Sequence, residues 1–378
     1  MRIAQIAPPW IAIPPQHYGG TENVIYHLVE ELVALGHDVT LFAPGDAHTS
    51  AQQIAFIPHS LIAEGVPWQA NLKAYYHLHK ALQYVAAHDF DIVHTHLSSS
   101  ADMYLFPLSA SLTTPHVTTL HSHFPFDHGP DNWIGDADQH FMEWAEHISL
   151  VAISKSARAH QHVPINFVGV VHHGIRVQEY QPDNTEQDDY FVWMGRMTRA
   201  KGLHLAIEAA LKAGVPLRIA GIKDGQKGEE LAYYHHMIEP YIDGQHIRLV
   251  GPQTMQQKIA LFSRARSLLN PIEWEEPFGM VMIEAMATGC PVIAFARGAA
   301  PEIITHGENG FLARSVDDMV DCIARIDEID RGTVRQYVEH HFSARTMAEN
   351  YLRVYQRVID ASPSGRITEP LVAGIFQP

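Results

Sequence analysis

The chain has 378 residues, of which 46% are hydrophobic and 18% are charged. This ordinary globular composition excludes a disordered or collagen-like chain, and the length suffices for two domains. Lys and Arg number 26 against 42 Asp and Glu, a net charge of −16, which disfavours non-specific binding of nucleic acid and docking on anionic lipid. An anionic ligand would therefore need a few locally placed cations.

The two cysteines, Cys290 and Cys322, are too few for a disulfide framework, and neither has a zinc-binding spacing. We therefore expect a reducing, cytoplasmic location. Gln5 and a Pro pair interrupt any signal-peptide core, so the first residues predict a buried strand. The most apolar stretch, 278–296, contains Glu284 and a Thr-Gly-Cys-Pro break, which predicts a helix, a turn and a strand rather than a membrane span.

Short apolar runs alternate with helical spacing along the first half of the chain. Runs that are apolar on both faces are typical of a parallel sheet covered by helices. The clearest helix is predicted over 22–35, with Gly36 just past its end. The predicted strands of this half are 2–7, 38–42, 91–94, 117–121, 150–153 and 167–172.

The same alternation starts again after residue 189 and predicts a second doubly wound sheet. Its strands are predicted at 190–194, 217–220, 247–250, 267–270, 291–294 and 310–312, and its helices at 202–213, 256–264, 280–287 and 316–326. The sequence thus divides into a Rossmann-like domain (1–176), a linker (177–189), a second Rossmann-like domain (190–343), and a terminal helix and tail (344–378). The helix predicted at 344–358 could pack on either domain.

Gly19 and Gly20 precede the first predicted helix. Glycines at a helix start let backbone N–H groups approach a ligand closely, and the helix dipole favours a phosphate there. The alternative is a simple glycine turn in which Thr21 is the N-cap.

Two cations follow the first strand of the second half. Arg196 comes directly after the strand and Lys201 precedes the next helix. A diphosphate could be bound there, by paired N–H groups of the arginine and the point charge of the lysine. The alternative is a solvated basic loop, to which Arg199 also belongs.

Two carboxylates bracket the start of the helix at 280–287. Glu284 lies among apolar residues, and a buried carboxylate without a partner is costly, so ribose hydroxyls are a possible partner. Glu276 is expected at the mouth of the helix, where backbone N–H groups could contact sugar or phosphate; these belong to Phe278, Gly279, Met280 and Val281. The alternative is that Glu276 only caps the helix electrostatically and Glu284 pairs with an arginine.

The 27 histidines include two pairs with period-2 spacing. His94 with His96, and His121 with His123, would each point to one side of a strand, as some metal ligands do. No accompanying Cys or Glu-x-x-His set supports a metal site, so we disfavour it.

His121 ends a predicted strand, where it could contact a substrate in a cleft. The alternative is a strand-end imidazole that is hydrogen-bonded to the backbone. His172 and His173 receive no chemical role from the sequence.

An ordered set of motifs resembles the retaining GT-B glycosyltransferases of family 4, also called glycosyltransferase group 1, over nearly the whole chain. The motifs are Gly19-Gly20-Thr21-Glu22, Thr119-Leu120-His121, Ala152-Ile153-Ser154, Gly195-Arg196 with Lys201-Gly202, Glu276 and Glu284 in a Glu-x7-Glu spacing, and Ala300-Pro301-Glu302-Ile303-Ile304.

This resemblance implies an α/β fold of the GT-B type, with two Rossmann-like doubly wound domains that face a cleft. It also implies that the enzyme moves a hexose from a nucleoside diphosphate sugar, bound by the C-terminal domain, to a hydroxyl of a small-molecule or glycan acceptor, bound by the N-terminal domain. UDP-glucose is the first expected donor, ahead of GDP-mannose and UDP-N-acetylglucosamine. Neither a metal nor another cofactor is expected, and monomer and homodimer both stay open.

The resemblance also implies roles for individual residues. Arg196 and Lys201 would bind the donor diphosphate, Glu284 the ribose hydroxyls and Glu276 the donor sugar, while His121 would lie near the reacting sugar. Gly19 and Gly20 would bring N–H groups to the distal phosphate, and the Phe278, Gly279, Met280 and Val281 backbone would frame sugar and phosphate.

Three other functions are compatible with such an architecture. A phosphorylase would need a lysine placed for pyridoxal phosphate, for which the sequence has no signature. A sugar-nucleotide 2-epimerase would share the cleft but act on the donor itself. A non-catalytic nucleotide-sugar binding protein would be expected to lack at least one of the two predicted cations or two predicted acids, and all four are present.

Overall fold

The computed structural model describes residues 1–15, 19–68, 70–98, 102, 104–122, 143–144, 147–159, 165–182, 187–223 and 228–362. Within these ranges the chain forms two parallel β-sheets flanked by helices, the α/β architecture that the sequence predicts. Every helix in the same ranges is too short or too polar to span a bilayer.

The first sheet consists of seven parallel strands: β1 (Arg2–Ile6), β2 (Asp38–Phe42), β3 (Gln52–Ile54), β4 (Ile92–Leu97), β5 (His116–Leu120), β6 (Leu150–Ala152) and β7 (Phe167–Val170). Their order is β3-β2-β1-β4-β5-β6-β7. Strands β4 and β5 are buried along their whole length, as expected for a sheet covered on both faces. The sequence does not predict β3, because this edge strand reads Gln-Gln-Ile and has no apolar run.

The second sheet consists of six parallel strands: β8 (Phe191–Arg196), β9 (Leu217–Ile222), β10 (Ile247–Gly251), β11 (Leu268–Asn270), β12 (Val292–Phe295) and β13 (Gly310–Ala313). Their order is β10-β9-β8-β11-β12-β13. All six correspond to predicted strands, with ends that differ by one or two residues. The carboxyl edges of the two sheets supply the residues of the candidate site.

Twelve α-helices lie among the described residues: α1 (Gly20–Ala34), α2 (Leu72–Ala87), α3 (Leu105–Ser109), α4 (Lys155–Ala159), α5 (Leu203–Ala213), α6 (Glu229–Tyr233), α7 (Met255–Arg264), α8 (Met280–Ala287), α9 (Ala300–Ile303), α10 (Val316–Ala324), α11 (Arg331–His341) and α12 (Ala344–Ala361). The sequence does not predict α2, whose buried face includes alanines and a histidine that weaken its apolar stripe. Helix α8 has the predicted bounds.

The chain crosses between the domains twice, at adjacent points. Ile175 donates its N–H to the Phe342 carbonyl at 2.9 Å, and Ala344 donates to the Ile175 carbonyl at 2.7 Å. After the second crossing, α12 packs against α1 and the first sheet, with Tyr351 and Tyr355 fully buried. The last described helix thus completes the first domain.

The predicted linker needs correcting at its first residues. Val177 and Tyr180 are 5% and 1% exposed and lie in the core of the second domain. A sequence without apolar periodicity can still contribute single large side chains to a core, and here Tyr180 does so. Residues 183–186 of the predicted linker lie outside the described ranges.

Candidate active site

The carboxyl end of β8 places two predicted cations at the edge of the second sheet. Arg196 is the last residue of β8 and is exposed, and Lys201 ends a 3₁₀ turn that starts at Arg199. Lys201 Nζ lies 2.5 Å from Glu276 Oε2, and these side chains are only 20% and 14% exposed. Lys201 Nζ also lies 5.3 Å from the centroid of the Trp274 ring. The fold therefore joins a predicted cation and a predicted acid that are 75 positions apart.

The loop that contains Glu276 is fixed within its own domain. The Glu276 carbonyl accepts a hydrogen bond from the Ala299 N–H at 3.0 Å, and Glu275 accepts one from the Gly298 N–H at 2.8 Å. The loop ends at Gly279, the N-cap of α8, whose φ of +91° is a left-handed conformation that favours glycine. Glu276 is therefore held at the mouth of α8.

The first turn of α8 presents backbone N–H groups beside Glu276. In a helix, the N–H groups of the first turn have no intrahelical acceptor, which applies to Met280 and Val281. The helix dipole adds partial positive charge at this end. Phe278 is 2% exposed and packs just before the turn. The structure thus groups all four predicted backbone residues of this segment at one helix end.

Glu284 lies in α8 with 8% exposure. Its carboxylate accepts hydrogen bonds from Lys258 Nζ at 2.6 Å and from the Tyr180 hydroxyl at 3.1 Å. From the sequence, the expected partner of the Glu284 carboxylate is a ligand or an arginine. In the structure, its partners are a lysine from α7 and a tyrosine from the interdomain segment. Burial, with the nearby carboxylate, raises the pKa of Tyr180 well above its usual range, so the phenol stays a hydrogen-bond donor.

Helix α1 begins at Gly20, with Gly19 as an N-cap of extended backbone. Thr21 therefore lies inside the helix, and the alternative in which it is the N-cap is wrong. Gly19 is buried and Gly20 is exposed, at the loop that follows β1. The exposed start of α1 presents N–H groups without helical acceptors at the carboxyl edge of the first sheet.

Glu22 is a buried carboxyl group in the same turn, 4% exposed. One of its oxygens lies 3.0 Å from the position that a Cβ on Gly19 would take. Burial raises the pKa of Glu22 to about 7; a hydrogen bond from its own backbone lowers it, and the charge of Asp102 raises it further. This carboxyl group therefore titrates near neutral pH directly beneath the glycine loop.

His121 follows β5 and has two histidine neighbours. Its Nε2 lies 2.9 Å from Nδ1 of His96, and its Nδ1 lies 3.4 Å from Nε2 of His173. The alternative in which the ring is bonded to the backbone is therefore wrong. Burial lowers the pKa of His121 to about 3, so the ring is neutral.

His172 and His173, which receive no chemical role from the sequence, lie at the contact between the two domains. His173 stacks on His121 and meets Phe278 edge-on, each with a ring-centroid distance of 5.1 Å. His172 Nε2 lies 2.8 Å from a carboxylate oxygen of Glu302 in the second domain. Both histidines come shortly after β7, and that position at the carboxyl edge of the same sheet is the signal that could have identified them.

His94 and His96 share one face of β4, as their spacing predicts, with ring centroids 4.1 Å apart. They are hydrogen-bonded to uncharged side chains, including Gln5. In the described part of the chain, no group of three or more His, Cys, Asp or Glu side chains could hold a metal ion. His123 lies outside that part.

Further hydrogen bonds connect the second domain to the first. Ser154 Oγ donates to the Pro277 carbonyl at 2.6 Å. Glu302 accepts hydrogen bonds from the N–H groups of Lys155 at 2.9 Å and Ser156 at 2.8 Å, at the start of α4. Burial raises the pKa of Glu302, but hydrogen bonds outweigh this effect and hold the pKa below its usual value. The residues on either side of Pro277 are thus positioned by both domains.

Two family models match the chain. The model described as Glycosyltransferase Family 4 matches residues 18–179, and the model described as Glycosyl transferases group 1 matches residues 177–337. The chain belongs to this glycosyltransferase family. The enzyme is therefore a glycosyltransferase, as its motifs predict.

Relatives of the enzyme are about 25% identical to it in sequence. Phosphatidyl-myo-inositol mannosyltransferase of Mycolicibacterium smegmatis is 25% identical, with 96% of this chain and 95% of that protein covered. Glycogen synthase of Mycobacterium tuberculosis is also 25% identical, with 94% of each covered. The match to Spore coat protein SA of Bacillus subtilis, 25% identical, covers 44% of this chain and about half, 48%, of that protein.

Solved structures show the same fold. Sucrose-phosphate synthase from Thermosynechococcus elongatus has a TM-score of 0.74 at 20% identity, with 96% of this chain and 100% of that chain covered. HepE from Anabaena, in complex with UDP-glucose, has a TM-score of 0.68 at 18% identity, with 94% and 100% covered. The enzyme thus has the predicted GT-B architecture of two Rossmann-like domains.

The pairing of Glu284 can be tested by a double-mutant cycle. Lys258→Met leaves a buried carboxylate without its cation, so we expect the free energy of unfolding to fall by about 3 kcal/mol. Lys258→Met with Glu284→Met removes both charges and should cost less than the sum of the single changes. Denaturant unfolding measures each variant, and Lys212→Met, at an exposed ion pair, is the control that should change little. Additive single effects would contradict the pairing.

The burial of Glu22 predicts a pH dependence of stability. Between its unfolded pKa of 4.5 and its folded pKa of about 7, the folded chain binds one more proton than the unfolded chain, so stability decreases as pH rises. Glu22→Gln cannot ionise, so its melting temperature relative to the parent should increase from about pH 5 to about pH 8. The exposed Glu308→Gln should show no such trend. A constant difference for Glu22→Gln would refute the assignment.

Proposed function

We propose that the enzyme transfers glucose from UDP-glucose to a hydroxyl acceptor with retention of anomeric configuration and without a metal ion. The main support is the Lys201–Glu276 pair at the start of α8. This pair puts a cation for phosphate and a carboxylate for sugar hydroxyls side by side, next to free helix N–H groups.

The diphosphate has several positive groups available at this edge. Arg196 and Lys201 belong to the segment after β8, and the first turn of α8 adds N–H groups. Across the cleft, the start of α1 at Gly20 adds further N–H groups for the distal phosphate. In a protein with a net charge of −16, such local groups are what an anionic donor requires.

The nucleoside would bind at Glu284. Its carboxylate has two oxygens and already accepts two hydrogen bonds, from Lys258 and Tyr180. A carboxylate offers about four acceptor positions, so two ribose hydroxyls can be added without breaking these contacts. Lys258 would then keep its ion pair with the carboxylate while the ribose is bound.

Glu276 would bind hydroxyls of the donor sugar. When a diphosphate draws Lys201 away from Glu276, the Glu276 carboxylate can accept sugar hydroxyls instead. The Ser154 contact to Pro277 holds this segment against the first domain, where the acceptor would bind. The sugar would thus lie between the two domains.

The chemistry follows from where charge develops. As the bond from the anomeric carbon to the leaving oxygen breaks, an oxocarbenium-like sugar and a nucleoside diphosphate anion separate, and fixed cations and N–H groups stabilise the anion. The acceptor hydroxyl attacks from the leaving-group side, forms the new glycosidic bond, and passes its proton to the departing phosphate. We assign no covalent nucleophile.

UDP-glucose is the first donor to test because HepE, which has the same fold, is seen in complex with it. A mannosyltransferase and a glycogen synthase among the relatives show that the family is not restricted to one donor. The experiment is a thermal-shift and turnover screen with UDP-glucose, UDP-N-acetylglucosamine, GDP-mannose and ADP-glucose, each with and without EDTA. A ligand that binds only the folded state raises its melting temperature.

We expect UDP-glucose to give the largest shift and slow glucose release that EDTA does not abolish, with α-glucose as the first product by NMR. A larger shift with another donor would overturn the donor assignment, and β-glucose would overturn retention. Conversion of the nucleotide sugar to its 2-epimer without acceptor would favour the epimerase instead.

Lys201→Met tests the diphosphate site in the same assay. Loss of one fixed charge at a developing anion typically lowers turnover about 10²- to 10³-fold, and we expect a decrease of that order. Lys212→Met, an exposed lysine of α5 in the same domain, is the matched control and should keep parental turnover. Equal rates in parent and Lys201→Met would remove the lysine from the proposed site.

A further inference from the structure

A continuous series of hydrogen-bonded side chains runs through the first domain from the domain contact to α12. It starts beside Phe278 of the second domain and ends at the buried tyrosines of the last helix. We call it the polar chain. Its members, in spatial order, are His173, His121, His96, Gln5, Tyr355, His94, Thr119 and Tyr351.

Gln5 defines the direction in which hydrogen bonds are donated along the polar chain, because a side-chain amide has one donor end and one acceptor end. Its Nε2 donates to the Tyr355 hydroxyl at 3.0 Å. Its Oε1 lies 2.9 Å from His96 Nε2, so this histidine nitrogen must have the proton. All three side chains are fully buried, so no water competes for these positions.

Between Gln5 and Thr119, the hydrogen bonds are donated in the same direction. Since Tyr355 accepts from Gln5, its own proton is directed to His94 Nδ1 at 2.6 Å. A neutral His94 then has its proton on Nε2 and donates to Thr119 Oγ1 at 2.7 Å. Thr119 Oγ1 in turn lies 2.9 Å from the Tyr351 hydroxyl.

Hydrogen bonds between Gln5 and the domain contact are donated in the same direction. Burial, together with neighbouring histidines, holds the pKa of His96 well below its usual range, so its ring is neutral and its Nδ1 has no proton. His96 Nδ1 therefore accepts from His121 Nε2 at 2.9 Å. That leaves His121 Nδ1 as an acceptor, which faces His173 Nε2 at 3.4 Å. From His173 to Thr119, every hydrogen bond in the polar chain is thus donated in the direction away from the domain contact.

We propose that Gln5 is a positioning residue for His121: acting through His96, it holds the His121 proton on Nε2 and directs an Nδ1 lone pair toward His173 at the domain contact. This inference rests on the proposed function for its catalytic consequence only. His121 is then an acceptor of a hydrogen bond from a substrate hydroxyl, and its ring has no proton to donate to the substrate.

The link from His173 to His121 is the one that a substrate would replace. At 3.4 Å it is the longest of these hydrogen bonds, and it lies next to Phe278 at the domain contact. A sugar hydroxyl that donates to His121 Nδ1 would form a shorter bond there. A neutral acceptor also suits an oxocarbenium-like sugar, because it adds no positive charge beside the developing cation.

The direction of the polar chain can be measured in the full, unliganded protein. Histidine labelled with ¹⁵N distinguishes Nδ1–H from Nε2–H tautomers by chemical shift, and single histidine substitutions assign the signals. We expect the Nε2–H tautomer at His94, His96, His121 and His173 near neutral pH. An Nδ1–H or doubly protonated ring at any of these positions would overturn the assigned direction.

The positioning role is tested by Gln5→Met, which has similar length but neither donor nor acceptor. We expect His121 to become a mixture of tautomers and turnover to fall about tenfold, with a smaller change in the donor KM. Gln53→Met is the matched control, because Gln53 lies in the same sheet and its side chain binds a backbone carbonyl. Gln53→Met should change neither readout.

A purely structural Gln5 would give a destabilised variant with parental tautomers and kcat, and that result would refute the positioning role. If Gln5→Met does not fold, the parental tautomers alone still decide the direction. Four Nε2–H tautomers in a protein that turns over no nucleotide sugar would support the polar chain and count against the proposed function, so the two failures are distinguishable.

Discussion

The candidate site depends on one constraint: a carboxylate that leaves water must have a partner. Glu276 and Glu284 are both mostly buried, and each has a lysine within 2.6 Å. These lysines come from different elements, Lys201 from the turn before α5 and Lys258 from α7. Charge pairing therefore ties α5, α7 and α8 together at one edge of the sheet, and it leaves cations and anions where a nucleotide sugar would need both.

The first domain meets the same edge with neutral groups. The ring of His121 is uncharged, and hydrogen bonds from Ser154 to Pro277 and from α4 to Glu302 are among the contacts that join the domains. Glu22, a carboxyl group beside its glycine loop, titrates near neutral pH. In the proposed reaction this arrangement is useful, because the anionic leaving group stays beside Arg196 and Lys201 of the second domain while the positively charged sugar faces neutral donors and acceptors of the first domain.

The sequence was sufficient for the sheets, because strands that are buried on both faces need continuous apolar runs. It failed at β3 and α2, where an edge position or a narrow buried face relaxes that requirement. Once the strands are located, candidate site residues can be proposed at the strand and helix ends, because the topology brings those ends together. The partners could not: Lys258 reaches Glu284 only through the packing of α7 on α8, a relation between helices that spacing does not encode.

The ion pair of Lys201 with Glu276 has a consequence for how a donor would be recognised. Each residue satisfies the other, so a ligand that engages only one of them leaves the other mostly buried and unpaired, which is unfavourable. A nucleoside diphosphate alone would draw Lys201 away and expose Glu276 to that cost. A complete nucleotide sugar supplies phosphate to the lysine and hydroxyls to the carboxylate at once. In the proposed function, the pair therefore favours the intact donor over the product that remains after transfer.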